Sequence, residues 1–298
     1  MVGGALMKRQ ATQKDKIFDF VLNIIMVVIL IITLYPLYFV VIASISNPDF
    51  TYAGKVILLP KGITFAGFEI ILADGRIWER YANTIIYTIV GTAVNLIITL
   101  PASYALSRKS FKAKKYINLF ILFTMFFSGG LIPTYLLVKG LKLIDSMWAI
   151  ILVSAVSVWN LIIARTYFSG NIPDELEESA LLDGCSHIKF FFLVALPLSK
   201  VIVIVLALFY GINHWNGYFN ALIYLNTPQK FPLQLFLREI LIQQQSMAMD
   251  PELARDMRYT ANLIKYTMII VATGPVLIIY PFLQKFFVKG VMIGAVKG

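Results

Sequence analysis

Residues 171–197 read NIPDELEESALLDGCSHIKFFFLVALP and lie between two long apolar runs of the chain. The run IPDE at 172–175 is a typical helix start, because proline fits the first turn and acidic side chains favour the positive end of the helix dipole. The Asp-Gly pair at 183–184 predicts the end of that helix, since glycine accepts a positive φ without steric cost. The segment therefore predicts a helix through Leu181, a sharp turn, and a second helix over 187–196.

Apolar runs without a charged residue make up most of the remaining chain. Of the 298 residues, 59% are hydrophobic and only 14% are charged, whereas a soluble domain carries roughly 25% charged residues. Each run exceeds the roughly 17 residues that a helix needs to cross hydrocarbon. The six runs are 20–48, 81–107, 116–138, 146–164, 201–229 and 266–284.

These runs predict an all-α integral membrane protein with six transmembrane helices, in one transmembrane domain over residues 1–298. Barrel strands alternate in polarity over about ten residues, whereas these runs are continuously apolar. A short surface helix is also expected over 233–241 on the outer side. The predicted spans are about 18–46, 81–107, 116–138, 146–166, 199–225 and 264–286.

The basic residues indicate the orientation of the chain in the membrane. They crowd the segment before the first span and the short link 108–115, and short basic segments stay in the cytoplasm. An even number of spans then places both termini on the cytoplasmic side of a bacterial cell membrane. The first run, 20–48, is too long for a cleaved signal peptide. Translation starts at Met1 or at Met7, and both remain open.

Composition and motifs exclude several classes of function. The formal net charge of +10 does not indicate nucleic acid binding, because the basic residues lie in loops and form no stripe among aromatic residues. The single Cys185 excludes an intrachain disulfide. The chain has two histidines, and its six apolar runs contain no acidic residue, so we assign no catalytic residue and no metal ligand. No GxxxxGK[ST] run is present, and we expect that this chain is not an enzyme and holds no cofactor.

Several features of the 171–197 segment resemble the EAA loop, the cytoplasmic coupling loop of permease subunits in ATP-driven importers. The run ESA at 178–180 precedes a glycine at the expected spacing, and VALP at 194–197 closes the segment. Ser179 replaces the usual alanine, and Val194 replaces an isoleucine. The resemblance implies that the loop contacts an ATPase subunit, with Ala180 and Leu181 in a groove of the partner and acidic residues at its rim. The expected coupling residues are Glu175, Glu178, Ser179, Ala180, Asp183, Gly184, Leu196 and Pro197.

Four further runs are similar to the LplC/YtcP branch of MalG-like carbohydrate permeases. They are FSGGLIPTY at 127–135, HWNGYFNALIYL at 214–225, FPLQ at 231–234 and GVMIGAVKG at 290–298. The resemblance implies a homologous second permease, two ATPase subunits that bind ATP and Mg²⁺, and an extracytoplasmic solute-binding protein. For the C-terminal run two interpretations stay open: it enters the ATPase dimer interface, or it is a frayed end.

The end of the fifth span offers candidates for the substrate pathway. Aromatic faces suit the C–H surfaces of sugars and amides suit their hydroxyls, but the same residue types also form interfacial belts and bonds between helices. The candidates are Asn213, Trp215, Asn216, Tyr218 and Asn220.

The sequence thus predicts the permease subunit of an ATP-driven importer of sugars, either oligosaccharides or polysaccharide fragments, that works by alternating access. The alternative is a secondary transporter without an ATPase partner. Such transporters normally carry acidic residues or broken helices within the membrane, and the six apolar runs contain no charged residue. Which sugar is carried, and whether the host has one membrane or two, stays open.

Overall fold

The computed structural model describes residues 13–247 and 254–295, and these residues form helices and loops with no strand among them. They fall into two compact units. The first comprises Met1–Ile71 with Asp250–Ile270, and the second comprises Leu72–Met249 with Val271–Gly298. Helix α15 contributes to both units. The all-α prediction is confirmed.

The helices have the following bounds. They are α1 Gln13–Ser44, α2 Pro48–Tyr52, α3 Ala66–Ala73, α4 Gly75–Ser107, α5 Lys114–Phe126, α6 Leu131–Gly140, α7 Met147–Val153, α8 Val158–Asn171, α9 Asp174–Leu182, α10 His187–Phe190, a π-helical turn Phe191–Ala195, α11 Leu196–Leu198, α12 Lys200–Asn216, α13 Phe219–Tyr224, a 3₁₀ turn Pro228–Lys230, α14 Leu233–Met247 and α15 Ala254–Ala295. The surface helix predicted at 233–241 forms as part of α14. Its relation to the membrane surface stays a prediction.

The first unit contains a long apolar helix with few neighbours in its own chain. Side chains 13–38 of α1 are all exposed. Helix α3 approaches α15 closely at Gly67, where a Cβ atom would lie 2.5 Å from the Thr267 hydroxyl. Glycine is therefore needed there because the two helices nearly touch. The exposed apolar face of α1 is suited to lipid or to another membrane helix.

The second unit is built around α4, which packs against both α8 and α12. Its first turn is capped by Asp74, whose carboxylate accepts the Arg76 backbone N–H at 2.9 Å. The Arg76 side chain also holds the pKa of Asp74 below its usual value. The main core of this unit joins α4, α8, α12 and the 171–197 segment. It contains Leu100, Tyr104, Ala164, Phe168, Ile172, Phe190, Phe191, Ala195, Ile202, Leu206 and Tyr210.

Three of the predicted continuous spans are interrupted in the structure. Within the described residues, three helices are long and apolar enough to span a membrane alone, and up to six spans result if each bent pair is one span. The first two breaks bend the helix pairs by 112° between α5 and α6 and by 54° between α7 and α8, and a separate bend of 83° at Ser199 lies between His187–Leu198 and α12. A continuous helix is therefore wrong for 116–138 and 146–166, and the stretch 199–225 ends its helix at Asn216 and resumes at Phe219.

Local sequence explains the first of these breaks. The residues between α5 and α6 are 127–130, reading FSGG, and Gly130 adopts a φ of +84°. Such a φ cannot continue a right-handed helix and is open mainly to glycine. Hydropathy overlooks this break because it measures the transfer of side chains and ignores the direction of the backbone.

Candidate functional site

The 171–197 segment folds as a helix, a turn and a second helix, as its sequence predicts. Helix α9 covers Asp174–Leu182, and Gly184 follows with a φ of +82°. The second helix begins at His187, where the Ser186 hydroxyl accepts the backbone N–H of Lys189 at 3.3 Å. It differs from the prediction in its π-helical turn at Phe191–Ala195.

One face of α9 points away from the rest of the chain. Glu175, Glu178 and Leu182 are all exposed, and Leu182 is 90% exposed. Their spacing of three and four residues places them on one helical face. The Ser179 hydroxyl lies beside them and donates to the Glu175 carbonyl at 2.8 Å. This face is free to contact another protein.

The opposite face of α9 carries a second acidic pair, which the sequence analysis passed over. Asp174 and Glu177 are three residues apart and both face Arg108, at 3.3 Å and 3.8 Å from its Nη1 atom. The side chains of Arg108 and Glu177 are only 5% and 7% exposed. Lys109 adds a surface contact to Asp174 at 3.3 Å.

Arg108 also binds the end of α8. Its Nη1 donates to the Ile172 carbonyl and its Nη2 to the Phe168 carbonyl, each at 3.0 Å. The last carbonyls of a helix lack partners within the helix, so the guanidinium closes the end of α8 while it neutralises the acids of α9. Arg108 therefore fixes the angle at which the chain leaves α8 for α9.

Glu177 connects the two helices of the segment. Its Oε1 lies 2.7 Å from His187 Nδ1. Because Glu177 is on α9 and His187 begins α10, this contact spans the glycine turn. The two helices are thereby held in one orientation.

The second helix of the segment is anchored in the main core. Phe190 and Ala195 are 0% exposed, and Phe191 lies 5.1 Å from the Tyr104 ring, centroid to centroid. Ala180 and Leu196 pack against the same core. Ala180 thus turns inward, whereas the large apolar side chains of the loop that are exposed are Leu176, Leu182, Ile188, Phe192 and Leu193. A displacement of the loop therefore moves core residues directly.

The remaining predicted coupling residues lie on the surface of the loop. Asp183 caps the end of α9 and is exposed, Gly184 is exposed with open space around its Cα, and Pro197 is exposed. None of these three residues lines the cavity of about 600 Å³ at the loop, whose lining includes Tyr104, Arg108, Glu177 and His187.

Four of the five pathway candidates meet at one cavity. Asn213, Asn216, Tyr218 and Asn220 line a space of about 260 Å³ together with Ser154 and His214. Trp215 does not line this cavity. Its indole N–H donates to the Ala272 carbonyl of α15 at 3.1 Å, and it lines a separate apolar space.

The break between α7 and α8 borders this cavity, and its backbone is satisfied by buried side chains. The Asn95 amide donates to the Ser154 and Ala155 carbonyls, both at 2.7 Å. The Tyr210 hydroxyl accepts the backbone N–H of Ser157 at 3.2 Å. Broken helices are tolerated at membrane depth only where such partners exist.

His214 belongs to the same polar network. Its Nε2 lies 2.6 Å from the Asn95 side-chain oxygen. Asn95 therefore joins α4, the break before α8, and α12. The sequence showed Asn95 only as an isolated amide within an apolar run, and this residue type at membrane depth was the available signal.

Two predicted features lie partly outside the described residues. Residues 1–12 include Lys8, Arg9 and both candidate start residues, and residues 296–298 end the C-terminal run. Within the described part of the chain, no group of His, Cys, Asp and Glu side chains is arranged to hold a metal ion.

Comparison with known proteins gives consistent matches along the chain. The model of the family "binding-protein-dependent transport system inner membrane component" matches residues 70–293. The polygalacturonan/rhamnogalacturonan transport system permease protein YtcP of Bacillus subtilis (strain 168) is 38% identical over 286 residues, covering 96% of this chain and 100% of YtcP. Protein LplC of the same strain is 39% identical over 267 residues, covering 90% of each chain.

A solved structure is also similar. It is the crystal structure of a bacterial ABC transporter involved in the import of the acidic polysaccharide alginate. The TM-score is 0.84 at 32% sequence identity, and the match covers 94% of this chain and 100% of the other.

Proposed function

Because the chain belongs to the family of binding-protein-dependent transport system inner membrane components, it is the multi-pass membrane permease of an ABC importer, and we propose that the 171–197 loop couples it to an ATPase. From here this segment is the coupling loop. The observation that carries the proposal is the two-sided α9, with an exposed face at Glu175, Glu178 and Leu182 and an inner face tied to Arg108.

Each face of α9 has a separate task. The exposed face offers two carboxylates and an apolar side chain to a groove of the ATPase, with Ser179, Asp183 and Gly184 at its edge. The inner face connects to α8 through Arg108, and the second helix of the loop packs into the core through Phe190 and Ala195. Leu196 and Pro197 then lead into α12. A movement imposed on the loop thus reaches a membrane helix directly.

The proposed assembly contains a homologous second permease, two ATPase subunits and an extracytoplasmic solute-binding protein. ATP and Mg²⁺ bind to the ATPase subunits, and this chain carries no cofactor of its own. The exposed apolar surface of α1 supports a second membrane subunit or lipid around that helix. ATP binding would draw the coupling loops together and open the pathway outward, and hydrolysis would reset it.

The proposed orientation places both termini and the coupling loop in the cytoplasm. Support comes from the basic link 108–115, which contacts the loop through Arg108 and Lys109. The basic link and the loop therefore lie on the same side, and short basic links remain cytoplasmic.

The proposed cargo is a sugar chain, such as an oligosaccharide or a fragment of a polysaccharide. The relatives are named for polysaccharide transport, and the cavity at the end of α12 offers the amides of Asn213, Asn216 and Asn220 with the ring of Tyr218. Amides donate and accept hydrogen bonds, as sugar hydroxyls require. Trp215, which does not line this cavity, instead connects α12 to α15 through its hydrogen bond to Ala272.

The alternative of a secondary transporter predicts a different energy source. The complete complex is placed in proteoliposomes with the binding protein outside and labelled sugar added. Uptake should require Mg-ATP inside the vesicles and should persist when proton and sodium gradients are abolished. Uptake driven by either gradient without ATP would contradict the importer assignment.

A further inference from the structure

One cation lies beside the candidate sugar cavity without a carboxylate partner among the described side chains. Arg238 of α14 places its guanidinium carbon 5.7 Å from the centroid of the Tyr218 ring. The ion pairs of the described residues engage other cations, so Arg238 is in none of them. Those cations are Arg76, Arg80, Arg108, Lys109, His187 and Lys230.

The Tyr218 ring has two roles at once. It lines the cavity with the three asparagines, and it lies beneath the guanidinium. The ring is 42% exposed and Arg238 is half-buried. Arg238 is not itself a lining residue of the cavity, and its partly accessible side chain lies one aromatic ring away from that lining.

The helix that carries Arg238 is firmly positioned. Leu233 and Leu235 are 0% exposed, and the Leu233 backbone N–H donates to the Thr84 hydroxyl at 2.8 Å. Phe236 lies beneath Arg80, with 5.5 Å between the guanidinium carbon and the ring centroid. Because α14 is packed against α4 in this way, the position of Arg238 relative to the cavity is set by the fold.

The chemistry of these five side chains together points to one ligand class. Amides and an aromatic ring suffice for a neutral sugar. They leave without a function the Arg238 guanidinium, which forms no ion pair within the described part of the chain. Arginine presents a planar set of donors that matches a carboxylate with two parallel hydrogen bonds, and it keeps this geometry while it stacks on an aromatic ring. A uronic acid unit carries hydroxyls for the amides, an apolar face for Tyr218 and a carboxylate for Arg238.

We propose that Arg238 and Tyr218, with Asn213, Asn216 and Asn220, form a subsite that selects a uronic acid unit of the transported sugar chain. This inference rests on the proposed function of sugar import. The cavity of about 260 Å³ is smaller than the roughly 300–1,000 Å³ of pockets for drug-sized ligands. It therefore takes one sugar unit of a longer chain.

The test measures direct binding of two ligands that differ at their carboxyl groups, one charged and the other a neutral methyl ester. The assembled transporter is placed in nanodiscs with a non-hydrolysable ATP analogue and without binding protein. Labelled trigalacturonate and its methyl ester are then compared by equilibrium binding. The wild type should bind the acid more tightly than the ester, by about tenfold for one charge-assisted contact.

Three variants assign this preference to Arg238. Arg238→Gln should remove the preference, so that the acid binds no more tightly than the ester, and Arg238→Lys should keep only part of it, since lysine lacks the planar pair of donors. Arg76→Gln is the matched control, because Arg76 also lies over an aromatic ring of α14 but pairs with Asp74. It should keep the full preference.

The outcomes distinguish this inference from the proposed function. The subsite is wrong if the wild type shows no preference, if neither ligand binds, or if Arg238→Gln keeps the preference. ATP-dependent sugar uptake would still stand in each of these cases. Loss of ATP dependence in the proteoliposome experiment would instead remove the importer assignment.

Discussion

Arg108 joins parts of the chain that are distant in sequence. It contacts the carbonyls of Phe168 and Ile172 and the carboxylates of Asp174 and Glu177 with one guanidinium. Because Arg108 and Glu177 are both buried, loss of the cation leaves a buried carboxylate without its main charge partner. At the residue scale, this arginine is the attachment of the coupling loop to the membrane helices.

Arg108→Met should destabilise the loop and impair coupling. Removing one partner of a buried ion pair costs roughly 3 kcal/mol or more, so we expect a lower thermal midpoint of the purified complex and faster proteolysis within 171–197. Lys109→Met is the control, because Lys109 is 82% exposed and contacts Asp174 at the surface. Similar losses in both variants would contradict the role given to Arg108.

Asp145 holds the turn between α6 and α7 to the segment before α14. Its carboxylate accepts the backbone N–H groups of Asn226 and Thr227 at 3.0 Å and 2.9 Å, and Lys230 Nζ at 2.6 Å. The Lys230 side chain, followed by Thr227, lowers the pKa of Asp145 well below its ordinary value. A carboxylate with a lowered folded pKa contributes stability above its unfolded pKa and loses it as the pH falls toward the folded value.

Asp145→Asn should therefore lower the thermal midpoint of the complex by the same amount at pH 8 and at pH 5. Asparagine tolerates the φ of +60° at this position, so the variant tests the charge and not the backbone. Asp183→Asn, an exposed site, should leave the midpoint unchanged. Equal midpoints for the wild type and Asp145→Asn at both pH values would show that the pKa of Asp145 is not lowered, because a carboxylate with the same pKa in the folded and unfolded states adds no stability through its charge.

At this scale the sequence predicted one face of α9 and missed the other. Glu175, Glu178 and Gly184 were identified because the helix start, the turn and the motif spacing are local. The partnership of Glu177 with Arg108 joins residues on separate helices, and periodicity within one helix cannot reveal it. The three-residue spacing of Asp174 and Glu177 did indicate a shared second face.

At the scale of the helices, α4 and α12 meet closely where Gly91 of α4 faces His214 of α12. A Cβ atom at Gly91 would lie 2.5 Å from His214 Nε2, the atom that contacts Asn95. Asn95 in turn supports the backbone break before α8. The packing of α4 against α12 and the break before α8 thus depend on the same contact, between Asn95 and His214.

Gly91→Ala should destabilise the complex by about 1–3 kcal/mol, because overpacking forces the His214 ring away from Asn95. The measurement is the thermal midpoint in detergent or nanodiscs. Gly211→Ala lies on the same helix interface, but its Cβ would be 3.7 Å from the Thr92 hydroxyl, an ordinary contact. An equal shift for the two variants would contradict the close contact at Gly91.

The turn of the coupling loop depends on the backbone of Gly184. Its φ of +82° is strained for a β-branched residue by roughly 1–2 kcal/mol, although no other atom lies within 4 Å of a Cβ placed there. Gly184→Val should insert normally and uncouple ATP turnover from uptake. Gly184→Asn should retain coupling, because asparagine tolerates this conformation. Normal uptake in the valine variant would show that coupling does not require the positive φ of residue 184.

The elements also show where sequence analysis fails. The helix starts at Asp174 and His187 follow from capping and turn residues, which act within a few positions. The breaks after Phe126 and Val153 were missed because apolar composition continues across them. The second break depends on Asn95 and Tyr210, whose approach is decided by tertiary packing.

For the whole molecule, α12 connects the two candidate sites. Its first end follows the coupling loop at Leu196–Leu198, and its last end carries Asn213 and Asn216 at the sugar cavity. Helix α12 has 17 residues, and at about 1.5 Å per residue it spans roughly 25 Å. A rigid helix of that length transmits a loop displacement to the cavity.

The most direct test of this account is ATP hydrolysis by the reconstituted complex, with and without sugar-loaded binding protein, in the wild type and in Glu178→Lys. Glu178 is exposed on the outer face of α9 and contacts no part of the core, so the charge reversal should leave the fold intact. The account predicts that loaded binding protein raises ATP turnover in the wild type and has no effect in the variant. Equal stimulation of the two complexes, or a chain that transports sugar with no ATPase bound, would contradict it.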